Sequence, residues 1–415
     1  MKILRYADIK PEYFESAQSE QIESVREILK DIKNRKDVAV REYSVKFDKL
    51  DISSFELTKE QIKNAYSEID SETIDALKFA AANIKSFAEN QLSSLKDFEI
   101  NNNGVICGQR IVPIERIGCY VPGGRYPLPS TALMTVIPAK VAGVGQVIVC
   151  SPKISAVTIV AADIAGADNI YNIGGVQAIG AMAYGTESIP KVDKIVGPGN
   201  QYVSAAKKEV YGLVGIDFIA GPSEVLVIAD EYGNPEYIAA DLLAQAEHDP
   251  SSRAEVITFT MEFAEKIIKS LDKQLSTLKT KDIATESIKN NGSIIIVDNF
   301  DEAVEIANKR APEHLELQIR NPDDIIPSLR NYGSLFIGEY SAEVFGDYCS
   351  GPNHTLPTNG SARFTGGLSV KEYVKILTFQ KVTKDASKDL INAASKLAEV
   401  EGLYGHKNAA DIRNS

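Results

Sequence analysis

Only four histidines occur in this chain of 415 residues, and each stands in a polar, turn-like setting near a carboxylate. The settings are Gln245-Ala-Glu-His248-Asp-Pro, Pro312-Glu313-His314, Asp347 followed by Pro352-Asn353-His354, and Glu401 followed by His406. A histidine kept for packing usually has apolar neighbours. Imidazole titrates near neutral pH and is the commonest metal ligand. If the four segments meet in space, they make one site holding a divalent metal and an acid/base. The plainer alternative is four unrelated surface histidines, which leaves the recurring carboxylates unexplained. Zinc takes N and O donors in tetrahedral geometry. His248 and Asp347 are candidates, with His354 or His406 to complete a set that keeps one position open. Glu313-His314 is a different kind of pair, a carboxylate able to draw a proton from water beside an imidazole able to shuttle one. Pro312 and Glu313 also read as the first turn of a helix, Pro at its first position and Glu favouring the dipole.

Such residues need elements to position them. From about Glu20 to Leu95 the chain reads as successive helices. Ile22, Val25, Ile28, Leu29 and Ile32 form one apolar stripe, and Ser71 with Glu72 opens a helix through Ile74, Leu77 and Phe79 to Phe87. Near Ile111 the character changes to strand, Gly-rich turn and helix in repetition. Ile117–Val121 is strand-like and runs into Pro122-Gly-Gly-Arg-Tyr-Pro127, after which Ser130 is placed to cap a helix reaching Val141. Strands follow at Gln146–Cys150, Asn169–Ile173 and Lys194–Val196, the last two ending in Gly174-Gly175 and Gly197-Pro-Gly-Asn200. This is the pattern of a parallel sheet covered by helices, which binds ligands beyond the carboxyl ends of its strands. Gly-rich turns there admit a phosphate or nucleotide, although a GxGxxG fingerprint is absent and Gly143-Val-Gly145 reads as a helix-terminating turn. A second α/β region covers about 226–336, with strands near 254–260, 293–297 and 334–337 and a helix over 301–310. Beyond Lys371 the chain reads as helical again. Asp163, Asp168 and Glu187 read as solvated surface charge.

A formal net charge of −12 argues against nucleic-acid binding, since no basic surplus exists to neutralise phosphates. No apolar run is long enough to span a bilayer, and the first residues lack a signal peptide's apolar core, so the expected address is the cytoplasm. Cys107, Cys119, Cys150 and Cys349 include no CxxC pair, which disfavours a thiolate zinc site. The first three read as core residues, while Cys349, between Asp347 and His354, is a candidate to line the site.

Taken together the segments resemble histidinol dehydrogenase from about Asp37 to the C-terminus. The residues that carry the resemblance are Tyr120-Val-Pro-Gly-Gly, Pro129-Ser-Thr-Ala-Leu-Met, Gly174-Gly-Val-Gln-Ala-Ile, Val196-Gly-Pro-Gly-Asn200 and Gly221-Pro-Ser-Glu-Val-Leu. They continue through Gln245-Ala-Glu-His-Asp-Pro, Pro312-Glu-His-Leu-Glu, Gly346-Asp-Tyr, Gly351-Pro-Asn-His-Thr-Leu-Pro-Thr, Glu401-Gly-Leu and His406-Lys-Asn. The resemblance implies an α/β fold of two incomplete Rossmann-like domains with parallel-sheet cores, plus a helical N-terminal arm and a C-terminal extension. It divides the chain into an arm over 1–15, a discontinuous domain over 16–119 and 226–368, an NAD domain over 120–225, and an extension over 369–415 that reaches a partner subunit. It implies a homodimer with shared active sites, each subunit holding one zinc ion through Gln245, His248, Asp347 and His406 of the partner subunit. Glu313 and His314 become the acid/base pair. Substrate contacts fall on Ser223, Gln245, His248, His314, Asp347, Glu401 and His406, with His354 beside them, and NAD contacts on Tyr120, Gln177 and Asn200. The implied reaction is four-electron oxidation of L-histidinol to L-histidine with two NAD, the last steps of histidine biosynthesis. An NAD-dependent dehydrogenase of the same family acting on another small polar alcohol or diol is the alternative. A zinc hydrolase would turn over without NAD and leave the Gly-rich strand ends unexplained, and a metal-dependent binding module would leave Glu313-His314 without a task.

Overall fold

A computed structural model describes residues 1–14, 23–123 and 126–414. Ile22 of the apolar stripe, Gly124 and Arg125 of the first Gly-rich loop, and the arm boundary at residue 15 lie outside the described residues. In helix Glu23–Arg35, Val25, Ile28, Leu29 and Ile32 are buried as their spacing predicts. Helix Ser71–Ser93 is capped one residue earlier than expected, by Asp70, whose carboxylate accepts from the Thr73 N–H at 2.7 Å. It buries Leu77, Ala80, Ile84 and Ala88, while Phe79 and Phe87 stay exposed.

Two parallel sheets carry the fold. In the first, the strands lie in the order Asn169–Asn172, Gln146–Ser151, Arg116–Tyr120, Lys194–Val196, Gly215–Ile216. Helices cover both faces, so the β-branched run Val147–Val149 is wholly buried. The helix expected to start at Ser130 starts at Pro129 with Leu128 as its cap residue, and Ser130 is buried inside it. Proline's fixed φ and missing N–H suit the first helical position better than a serine cap does. Gly143 ends that helix in the left-handed region, as Gly143-Val-Gly145 predicts.

The second sheet runs Lys2–Arg5, Ser293–Ile296, Arg253–Thr258, Glu224–Ala229, His314–Gln318, Ser334–Ile337, all parallel. Its strand His314–Gln318 corrects the reading of Pro312-Glu313 as a helix start. His314, Glu316 and Gln318 alternate with Leu315 and Leu317, and all five are buried, so the polar row faces other polar groups instead of water.

A third, antiparallel sheet pairs Val105–Pro113 with Phe98–Asn102 and with Val374–Val382. Val374–Val382 overturns the helical reading just beyond Lys371. Its Val, Ile, Thr and Phe residues favour a pleated surface, and helix resumes only at Ser387–Val400 and Tyr404–Asp411. Asp163, Asp168 and Glu187 are exposed but not merely solvated. They accept from the Tyr66 hydroxyl, the Val147 N–H and the Asp37 N–H respectively.

Candidate functional site

Ligands in open α/β sheets usually sit at the carboxyl ends of strands. The polar cluster of the second sheet lies instead at the amino ends of two neighbouring strands, Glu224–Ala229 and His314–Gln318, where the strand order reverses. Glu224 holds both members of the expected acid/base pair through its backbone. Its N–H donates to Glu313 Oε2 at 3.0 Å, and its carbonyl lies 3.2 Å from His314 Nδ1. That contact makes Nδ1 the protonated nitrogen and turns Nε2 toward Asp347, whose Oδ1 is 3.4 Å away. Both Glu313 and His314 are buried.

The short helix Glu343–Tyr348 supplies two carboxylates at i and i+4, so Glu343 and Asp347 project from one face. The donor atoms of His314, Glu343 and Asp347 lie within 4.8 Å of one another. Gln245, in the last turn of helix Pro235–Ala246, is fully buried beside them. With its amide oriented to satisfy both neighbours, its oxygen shares the Glu224 N–H with Glu313, at 2.8 Å, and its nitrogen donates to Glu343. A carbonyl oxygen has two lone pairs, so one remains for another ligand. His248 follows that helix, exposed, close enough for its charge to act on Asp347 and His354. His354 Nδ1 donates to the Asp347 carbonyl at 2.7 Å, and Nε2 lies 3.3 Å from the Thr131 hydroxyl on helix Pro129–Ala142. It thus ties the Asp347 backbone to the first parallel sheet's helices.

Burial pushes the Glu313 carboxyl up to about 8, against lowering by His314 and by its hydrogen bond from Glu224. Burial alone would lower His314, but the carboxylates of Glu343, Glu313 and Asp347 hold it well above its ordinary value. Burial likewise raises Glu343. In Asp347 the opposing burial is outweighed by the hydrogen bond and charge of His314 and by the charges of His354 and His248, so it is lowered. The pocket is therefore acid-rich around one cationic imidazole, with Glu343 Oε2 buried and without a hydrogen-bond partner. Such a set of O and N donors suits a divalent cation. Glu343 was not among the residues singled out from the sequence. Its spacing of four from Asp347 was the available signal.

Ser223, half-buried, immediately precedes the strand whose first residue, Glu224, holds the pair. Glu401 and His406 are exposed, on a C-terminal segment whose helices Ser387–Val400 and Tyr404–Asp411 pack on each other. Cys349 packs against the apolar cluster under helix Ser71–Ser93.

The first sheet keeps the usual rule. Tyr120 ends its central strand and its hydroxyl accepts from the Gly175 N–H at 3.1 Å. Gln177, buried one turn into the next helix, donates to Asp48 at 2.8 Å. Asn200 caps helix Gln201–Val210, accepting from the N–H groups of Tyr202 and Val203. Between them Gly197 has φ 111° and comes so close to Tyr120 that a Cβ would lie 2.1 Å from its carbonyl oxygen. Buried Lys207 and Asp217 clamp that turn. Lys207 donates to the Gly197 carbonyl at 2.9 Å, and Asp217 accepts from the Gly197 N–H at 2.7 Å. Tyr120 and Asn200 thus follow the two strands between which this sheet's order reverses, and Gln177 follows strand Asn169–Asn172; Tyr120 and Gln177 are buried and Asn200 is exposed.

A family model described as histidinol dehydrogenase matches residues 13–414. A histidinol dehydrogenase from Methanocaldococcus jannaschii is 47% identical over 399 residues, covering 95% of this chain and 92% of its own length. One from Bacillus cereus is 49% identical over 394 residues, with coverage of 94% and 92%. The crystal structure of histidinol dehydrogenase from Elizabethkingia anophelis superposes with a TM-score of 0.94 at 40% identity, covering 100% of this chain and 98% of that one.

Proposed function

The chain belongs to the histidinol dehydrogenase family and is an oxidoreductase, and from that premise we propose that it converts L-histidinol to L-histidine at the buried Glu313–His314–Asp347 pocket. The balance is one histidinol, one water and two NAD giving histidine, two NADH and protons. The observation that carries this reading is the pairing of Glu313 with His314 on one backbone clamp, each within 4 Å of the other and His314 within 4 Å of Asp347. A substrate carbon above that pair would have one base for its hydroxyl proton and another for the proton of an attacking water.

Gln245, His248 and Asp347, with His406 of the partner subunit, would hold one zinc ion per subunit. Bound there, zinc supplies an electrophilic anchor for the substrate's amino and imidazole nitrogens, and NAD supplies the two-electron acceptor in each oxidation. With Nδ1 held as donor to the Glu224 carbonyl, His314 would accept the hydroxyl proton at Nε2 as the alcohol becomes an aldehyde, once the cationic imidazole has given up its own proton there. Burial makes Glu313 a stronger base than an ordinary carboxylate, and its ionised form would deprotonate water for addition to that aldehyde. The walls around the pair exclude bulk water, which keeps a reactive amino aldehyde bound until the second oxidation. Ser223, Glu401 and His354 complete the substrate's surroundings, and Tyr120, Gln177 and Asn200 receive NAD.

Exposed Leu397, Val400, Tyr404 and Ile412 form an apolar surface on the C-terminal helices. Exposed apolar side chains of this kind support a protein partner, and a second copy that brings Glu401 and His406 to the pocket accounts for them. The same reading divides the chain into an arm over 1–15, a metal and acid/base domain over 16–119 and 226–368, an NAD domain over 120–225 and an extension over 369–415. We assign it to the cytoplasm. No helix among the described residues is long and apolar enough to cross a membrane. The test is NADH released from limiting L-histidinol. Two equivalents per substrate support the assignment, and a small polar diol oxidised in preference would move it to another alcohol.

A further inference from the structure

A dinucleotide-binding sheet ordinarily places an Asp or Glu near the end of its second strand, where the carboxylate accepts the 2′-hydroxyl of the adenosine ribose. Here the second strand, Gln146–Ser151, runs into Pro152-Lys153 instead. The turn is wedged between its neighbours. A Cβ on Gly123 would lie 2.4 Å from the Pro152 carbonyl oxygen, and one on Gly174 would lie 2.2 Å from Pro152 Cβ. Lys153 is exposed there in a left-handed conformation, φ 46°. A lone cation at this place would favour the phosphate of NADP.

A carboxylate does reach this corner, but from another part of the chain. Asp48 closes the helical segment Ser44–Asp48. Its Oδ2 accepts from Gln177 Nε2 at 2.8 Å, and Lys153 lies within its electrostatic reach. Its own charge also acts on Tyr120. The segment that follows is anchored to the sheet's edge, with Leu57 N–H donating to Ile170 O at 2.9 Å and Asn172 N–H to Phe55 O at 2.8 Å. Asp48 is therefore presented on a fixed element to the crevice at the ends of the second and third strands. The hydrogen bond from Gln177 occupies one of roughly four acceptor positions on the carboxylate.

Resting on the assignment of NAD to this crevice, we propose that Asp48 accepts the adenosine ribose 2′-hydroxyl and selects NAD over NADP, with Lys153 as the cation whose charge it offsets. The usual strand-end acid is thus replaced by one delivered from the N-terminal helical region.

The test uses the full-length, zinc-loaded enzyme. Isothermal titration calorimetry gives the affinities for NAD and NADP, and kcat/KM with each dinucleotide is measured beside them. Asp48→Asn keeps an acceptor for Gln177 and removes the charge. It is expected to bind NAD about 10-fold more weakly, the order of one charged hydrogen bond, and to bind NADP more tightly than wild type. Adding Lys153→Ala should abolish the NADP gain, and Asp48→Glu should restore preference for NAD if the asparagine variant folds poorly. An unchanged NAD-to-NADP affinity ratio in Asp48→Asn, with wild type binding NAD, overturns the role of Asp48 and leaves the NAD crevice standing. Wild type binding neither dinucleotide overturns both.

Discussion

Replacing Lys207 with Met removes a charge from a pair whose side chains are 2% (Lys207) and 0% (Asp217) exposed. Methionine keeps most of the lysine stem's packing but leaves Asp217 buried with only the Gly197 N–H as partner, and it strips the Gly197 carbonyl of its donor. Breaking a buried pair by removing one partner costs about 3–5 kcal/mol, so Lys207→Met should lose about that much stability. Asp217→Asn should fall in the same range, because it strands the lysine. In the double variant the asparagine still accepts from Gly197 N–H and no charge is left uncompensated. What remains is one unpaired carbonyl, about 1–3 kcal/mol. The double-mutant cycle should therefore show a coupling of at least about 3 kcal/mol. Urea unfolding followed by far-UV circular dichroism measures it, and NAD affinity should fall in both single variants because the turn beside Tyr120 loosens. Additive losses in the cycle would refute the clamp, as would a Lys207→Met cost below about 1 kcal/mol.

Glu313→Gln should leave oxidation of the alcohol near wild type and slow oxidation of added L-histidinal by about 10²–10⁴-fold, the usual worth of a positioned general base. Stalled alcohol oxidation with normal aldehyde oxidation would exchange its role with that of His314. His406→Asn should lose zinc by elemental analysis; full metal content would remove the C-terminal helix from the ligand set. If sites are shared between subunits, mixing Glu313→Gln and His406→Asn protomers after reversible dissociation should restore oxidation of L-histidinal, which each variant alone performs poorly, since each heterodimer rebuilds one intact site. No recovery would mean that each subunit is self-sufficient. Burial raises the Asp241 carboxyl to about 6, despite lowering by hydrogen bonds with Glu316 and Gln318. The unfolded chain ionises near pH 4 while the folded one still holds the proton, so folding loses stability as pH climbs from about 4 to about 6. Asp241→Asn escapes that loss. Its advantage over wild type, followed as the difference in Tm, should be smallest near pH 4 and grow toward neutral pH.

Where one physical rule dominates locally, the sequence was readable. The stripe through Val25, Ile28, Leu29 and Ile32, the turn at Gly143, and the strands ending in Gly174-Gly175 and Gly197 all appear where pattern and turn chemistry put them. The strand His314–Gln318 was missed because its polar residues look solvent-facing, whereas here they meet Asp241, Glu343 and Asp347 inside the protein. Val374–Val382 was missed because its partner, Val105–Pro113, lies more than 250 residues away. At the candidate site, residue chemistry alone picked out His248, Asp347, Glu313 and His314. It passed over Gln245, which the family resemblance supplied, and Glu343, which neither route supplied. The clamp that holds the pair is the backbone of Glu224, and a backbone group leaves no mark in residue type. Nor does one chain's sequence say which surface completes a pocket; in the proposed shared site Glu401 and His406 come from a partner subunit.

The most direct measurement is the yield of NADH from limiting L-histidinol, taken before chelation, after it, and after zinc is returned. Two NADH per histidinol, abolished by the chelator and restored by zinc, is the predicted result. One NADH per histidinol would contradict the role of Glu313 in a second oxidation, and none from the zinc-loaded protein would contradict histidinol as its substrate.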